Sequence, residues 1–225
     1  MPDDSLLDLA DYISEKMDKY VMHHVFAKDE LVVHVKPDDI AIVLQFLRDD
    51  RECQYTTLID LCGVDYPERA ERFEVVYCLL SIRQNSRVRI KISVEEDQIV
   101  PTVTKVFSSA GWLEREVWDM YGILFSGNPD LRRILTDYGF DGHPQRKDFP
   151  LSGYVELRYD NEQKRVVYEP VKLTQDFRLF DFISPWEGMT DMQESGDEKG
   201  SIPFGWKGTV DDVKDMEDQD NASER

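Results

Sequence analysis

"RFEVVYCLLSIRQNSRVRIKISV", residues 72–94, decides the fold of this chain. The part from Phe73 to Ile82 is apolar on both faces in its middle, the pattern of a strand central in a sheet. The part from Arg87 to Val94 alternates: Val88, Ile90, Ile92 and Val94 point inward, while Arg87, Arg89 and Lys91 point outward. The "QNS" between them, residues 84–86, reads as the turn of a hairpin.

On its N-terminal side, "YTTLIDLCGVDY", residues 55–66, reads as another strand stopped by Pro67. Farther upstream, "ELVVHV" (30–35) is a strand, and "KPDDIAIVLQFLRDD" (36–50) is a helix. Pro37 stands near that helix's start with acids in the first turn, and Ile40, Val43, Leu44 and Leu47 share one face. Before them Ser5 opens an amphipathic segment with Leu6, Leu9, Ile13 and Met17 at helical spacing, and Asp8 completes a capping box. Downstream, "GWLEREVWDMYG" (111–122) is a helix. Its stripe is Leu113, Val117, Met120 and Tyr121, with Gly122 just past its end. The order α-β-α-β-β-β-α predicts an α+β fold, a mixed sheet with helices packed against it. A long irregular segment, a hairpin and an extended acidic tail follow. The hairpin is "YVELRY" (154–159) with "KRVVY" (164–168), turning at Asp160 and Asn161. The expected division is a core domain over 1–125, a docking segment with the hairpin over 126–190, and an acidic flexible tail over 191–225.

Composition narrows the function. Of 225 residues, 41% are hydrophobic, enough for a sizeable core, and 46 acids against 27 bases leave a net charge of −19. A nucleic-acid binder needs a basic footprint, and direct docking on anionic lipid is disfavoured for the same reason. No apolar run approaches the ~20 residues of a membrane span. The acidic N-terminal stretch lacks the basic region of a signal or transit peptide, so the chain is expected to stay where it is made. Cys53, Cys62 and Cys78 read as buried free thiols in a reducing compartment.

Catalytic patterns are absent. There is no phosphate-cradling glycine loop and no closely spaced thiolate set for an iron–sulfur cluster. His23 and His24 are adjacent, so on a strand they face opposite ways, and with His34 they have no metal-ligand spacing. Glu114 and Glu116 do not share a helix face, which leaves no carboxylate pair for acid–base work. With Asp119 they are expected on a solvated face or paired with nearby arginines. Acids near Cys62 raise its pKa, so it is no nucleophile. His143, in "GHP", is expected to bond a turn carbonyl, with acid–base use as its alternative.

The remaining puzzle is "DLRRILTDYGFDGHPQRKDFPLSG", Asp130 to Gly153. From Ser126 onward the periodicity stops for nearly thirty residues, and such stretches tend to be functional or disordered. Disorder does not fit this density of Phe, Tyr, Leu and Ile. Arginines and aromatics together are the composition of interface centres. Two readings stay open and compatible. Arg132, Arg133 and Arg146 pair internally with Asp130, Asp137, Asp141, Asp148 and the helix acids, or the outer side of the segment meets another chain.

These residues carry a resemblance. "EREVWDMYGILFSGNPDLRRILTDYGFDGHPQRKDFPLSGYVELRYD", Glu114 to Asp160, with "GVDYP" (63–67) and "GWLEREVWD" (111–119), resembles the thirty-kilodalton subunit family of proton-pumping NADH:quinone oxidoreductase, respiratory complex I. The likeness runs from about Val33 to Trp186, and "FDFISPWEG" (180–188) resembles the alphaproteobacterial and mitochondrial branch. The family often has His where Asn128 stands and an apolar residue at Gln145, and the acidic tail after Gly188 has no counterpart in it. The resemblance implies a non-catalytic structural subunit of the hydrophilic arm, supporting electron transfer from NADH to ubiquinone coupled to proton translocation. It implies docking on the quinone-site subunit and the terminal-cluster subunit. FMN, iron–sulfur clusters and quinone would sit on partner subunits, with no cofactor, metal or catalytic residue here. The implied docking set is Glu114, Arg115, Glu116, Asp119, Arg132, Arg133, His143, Arg146, Lys147 and Asp148. The implied location is peripheral, on the cytoplasmic side of a bacterial inner membrane, with the matrix side of the mitochondrial inner membrane as alternative. Two rival readings are a free-standing hydrolase using His143 with a carboxylate, and an assembly factor or acidic chaperone that leaves the mature complex.

Overall fold

In a computed structural model of the chain, the described residues are 4–28 and 30–175, with the side chains of residues 4 and 5 left aside. The Ser5 capping box, the "FDFISPWEG" match and the 191–225 tail therefore lie outside the described residues. The described residues up to Val171 form one compact unit.

In this unit, helix α1 (Asp4–Lys16) leads to strands β1 (Val21–Ala27) and β2 (Glu30–Val35), then helix α2 (Ile40–Asp49). Strands β3 (Thr57–Asp65), β4 (Phe73–Ser81) and β5 (Ser86–Val94) follow, then the short β6 (Val100–Pro101) and helix α3 (Ala110–Tyr121). The two-residue β7 (Phe125–Ser126) pairs in parallel with β6, and β8 (Val155–Asp160) with β9 (Arg165–Pro170) makes a separate hairpin. The main sheet has the order β1-β2-β5-β4-β3. It is mixed, as expected: β2 and β5 run parallel, and every other neighbouring pair is antiparallel.

The stretch from Phe73 to Val94 behaves as its pattern requires. Val88, Ile90, Ile92 and Val94 are fully buried. Ser81 pairs with Ser86 across the turn, where Asn85 takes a positive φ of 50°. β4 lies inside the sheet between β5 and β3, and β5 is its geometric centre. The inward residues of β2, β4 and β5 meet Ala10 and Ile13 of α1 and Ile40, Val43, Leu44 and Leu47 of α2 in one core. α3 lies over β3, where Tyr121 sits so close to Gly63 that a Cβ there would be 2.7 Å from the ring.

Two expectations need correction. The sequence pattern does not predict β1. Its two His, the irregular register at Met22 and its half-exposed course give no clean alternation. Of the three thiols only Cys53 is buried; Cys62 is exposed and Cys78 intermediate. Cys62 stands on β3, an edge strand, with its side chain on the face opposite to the buried Leu61.

Candidate functional site

α3 ends at Gly122, whose φ of +82° lets its N–H bond the Trp118 carbonyl at 2.8 Å. A side chain is excluded there, because a Cβ would come 2.7 Å from both His143 and Arg146. The irregular segment 127–153 folds back over this helix end, and its loose backbone groups are tied down by buried charges.

Asp119 is the centre of that arrangement, its side chain fully buried. One oxygen, Oδ2, accepts the backbone N–H groups of Ile134 (3.0 Å), Leu135 (2.8 Å) and Thr136 (2.9 Å). The other, Oδ1, accepts the Thr136 hydroxyl at 2.5 Å and the Arg133 guanidinium at 2.8 Å. Burial alone would raise the Asp119 pKa. The Thr136 hydroxyl and the three amides outweigh it and hold the carboxyl well below the usual range. Arg133 also donates to the Gly142 carbonyl at 3.1 Å and its guanidinium lies within 6 Å of the Trp118 ring, at 5.6 Å, and of the Phe140 ring, at 5.8 Å.

One turn earlier, Arg115 is buried and donates to the carbonyls of Arg132 (3.0 Å) and Arg133 (2.9 Å). His143 Nδ1 lies 3.0 Å from the Asp119 carbonyl oxygen, which belongs to the last turn of α3 and not to a loop turn as expected. Arg146 donates to the Tyr121 carbonyl at 2.6 Å and to Glu96 at 2.5 Å, with its guanidinium over Phe73. Asp65, at the end of β3, accepts Arg72 and the backbone N–H of Lys147, the latter at 2.7 Å. Arg72 reaches Asp148 on its other side at 3.0 Å.

Glu114 departs from expectation. It is neither solvated nor paired with arginine, being completely buried. Thr102 (2.7 Å), the Val103 N–H (2.8 Å) and Asn128 (2.7 Å) donate to it, and burial pushes its pKa up against those bonds. Asn128 also receives the Asp130 N–H at 2.9 Å. Glu116 is exposed, and Arg132 pairs with the exposed Asp130.

The ten residues thus separate. Glu114, Arg115, Asp119, Arg133, His143 and Arg146 face inward and stiffen the segment; Glu116, Arg132, Lys147 and Asp148 stand at the surface. Sequence reasoning missed Thr102, Thr136, Asp65, Arg72 and Glu96, which complete these bonds. "GVDYP" flagged only the neighbourhood of Asp65. Among the described residues no group of three His, Cys, Asp or Glu is placed to hold a metal ion, and no helix is long and apolar enough to cross a membrane.

The stiffened segment leaves large apolar groups outside. Tyr138 and Leu151 are each 90% exposed. Beside it, β8 and β9 put Val155, Leu157 and Tyr159 opposite Pro170, Tyr168 and Val166, so one hairpin face is apolar throughout. That face is open: Leu157 is 56% and Tyr168 63% exposed. Tyr168 ties the hairpin to the segment by donating to Asp137 at 2.8 Å.

A family model described as respiratory-chain NADH dehydrogenase, 30 Kd subunit, matches residues 33–155, the span from β2 to the first residue of β8. The chain belongs to that family. Its relatives include the C-subunit of NADH-quinone oxidoreductase from Rhodospirillum rubrum, 62% identical over 83% of this chain and 87% of that protein. The corresponding protein of Paramagnetospirillum magneticum is 60% identical over 88% of this chain and 98% of its own length. Among solved structures, a chain of the membrane-bound sulfane sulfur reductase, an archaeal respiratory membrane complex, is similar with a TM-score of 0.56 and 25% identity. That likeness covers 64% of this chain and 85% of the other. Neither the hydrolase nor the assembly-factor reading finds support among members of the 30 Kd family. His143 in particular is engaged with the α3 terminus, and among the described residues no carboxylate is hydrogen-bonded to its ring.

Proposed function

We propose that this chain is a non-catalytic structural subunit of the peripheral arm of NADH-quinone oxidoreductase. It supports electron transfer from NADH to quinone by fixing the positions of its neighbours. The observation that carries this reading is the apolar face of the β8–β9 hairpin, open beside a segment whose charges are satisfied internally. A two-stranded hairpin is marginal alone, and contiguous exposed apolar surface marks contact sites. The partners we assign are the quinone-site subunit and the terminal-cluster subunit, which hold the cofactors. Membrane association is then indirect, on the cytoplasmic side of a bacterial inner membrane. Of the ten residues named from sequence, Glu116, Arg132, Lys147 and Asp148 are the ones placed to meet a partner directly; the other six act by holding the segment in shape.

The test is recovery of the tagged chain from detergent-solubilised membranes. Wild type should bring flavin, iron–sulfur signal and NADH oxidation with it in constant proportion. The double variant Leu157→Ser/Tyr159→Ser should fold as the isolated chain and bring none. Normal recovery of the complex with that variant would overturn the docking role of the hairpin.

A further inference from the structure

The β8–β9 hairpin has two outer edges, and they are not alike. Its register sets Val155 against Pro170, Leu157 against Tyr168 and Tyr159 against Val166. One step beyond that ladder, the Val171 N–H bonds the Tyr154 carbonyl at 3.1 Å. Bonded and non-bonded pairs alternate along antiparallel strands. Glu156 with Glu169, Arg158 with Val167 and Asp160 with Arg165 are therefore the bonded pairs. The main-chain groups of Val155, Leu157 and Tyr159 point away from β9, along the outer edge of β8. Those of Val166, Tyr168 and Pro170 point the other way, along the outer edge of β9. Pro170 agrees with this, since it has no N–H to give to a ladder. We propose that the outer edge of β8 accepts an extended segment of a neighbouring subunit as a third strand. The inference rests on the docking role of the hairpin and names the form its partner takes there.

Among the described residues β8 and β9 make a sheet of two strands, and no other strand pairs with either. Two strands alone are marginal in water, whereas a third strand with a shared apolar face makes a stable sheet. An unpaired edge is a template for such a strand. β8 has no proline, so its edge offers the N–H and C=O of three alternate residues. The side chains of the same three residues stand on the open apolar face. An added strand thus gains main-chain bonds along the edge and apolar contact on one side. Its own sequence should alternate, with apolar residues on the side of Leu157. The β9 edge is the poorer template, because Pro170 removes one of its three donors.

The experiment is hydrogen exchange, resolved to single amides, on the intact complex purified from detergent-solubilised membranes. The Val155, Leu157 and Tyr159 amides should be protected, and those of Val166 and Tyr168 should exchange fast. Docking on the apolar face alone covers both strands and bonds neither edge. Equal exchange at the two edges therefore overturns the third strand and leaves the docking role standing. Protection of the β8 amides that persists in the isolated full chain also overturns it, because the chain's own residues then fill the edge. A matched pair of variants gives a second readout. Leu157→Pro removes an outward N–H without breaking a β8–β9 bond, and Val166→Pro does the same on the other edge. Leu157→Pro should lose flavin and NADH oxidation from the recovered material, while Val166→Pro keeps both. Equal recovery with the two variants sinks the proposal. Should either variant fail to fold, the exchange measurement on wild type carries the test. Failure of the docking role itself shows differently, as normal recovery of the complex with Leu157→Ser/Tyr159→Ser.

Discussion

Asp119 takes five donors on two oxygens, three of them amides of consecutive residues that have no strand or helix to bond within. Removing it leaves those amides without their acceptor and the Arg133 guanidinium without its counter-ion. Asp119→Ala is therefore expected to cost about 3–5 kcal/mol in urea unfolding, and hydrogen exchange at residues 134–136 should accelerate. Arg132→Ala, by contrast, removes an exposed pair and should leave the same unfolding curve unchanged. Acid dependence follows from two carboxyls of opposite sense. The Asp119 pKa is depressed, so its stabilisation is complete above the ordinary value of about 3.9 and drains away as pH falls below it. The Glu114 pKa is raised by burial, so the folded state holds the extra proton. Stability then falls as pH rises from about 4.3 toward the elevated value. Glu114→Gln should flatten that upper slope in a pH series of unfolding curves and leave the acid limb in place.

Between elements, the close approach of α3 to β3 depends on the missing side chain of Gly63. Gly63→Ala drives a methyl into the Tyr121 ring and should destabilise by ~1–3 kcal/mol, read by thermal unfolding. Period-two alternation announced β5, and the apolar run announced β4, because both strands bury a face against the helices. The same rule failed for β1, whose irregular register and open edge break the alternation it looks for. In α3, Leu113, Val117, Met120 and Tyr121 predicted the stripe, but Glu114 and Asp119 are buried as deeply as its apolar members. Helical periodicity treats acids as solvent-facing, and a carboxylate that caps a distant loop's amides violates that assumption. The donors that meet Glu114 and Asp119 lie 11 to 17 residues away in the chain, beyond any local pattern. The long irregular segment was legible as ordered from its aromatics and arginines; that its charges turn inward while its rings remain outside was not.

Over the full chain, a net charge of −19 on 225 residues sets self-repulsion against compaction. The melting temperature of the isolated chain should rise as salt is added from low ionic strength to about 0.15 M, where screening shortens to about 8 Å. A flat response would mean that the charges are already neutralised in pairs. The same repulsion keeps copies of the chain apart, which matters because of the β8–β9 hairpin. Until its neighbours arrive, a newly made copy shows water a bare ribbon of Val155, Leu157, Tyr159, Val166 and Tyr168 with unpaired strand edges. An orphan in that condition is sticky. Cells that overproduce it without its companions will accumulate aggregates or degrade the surplus, so the supply of this subunit has to keep step with the rest of its assembly.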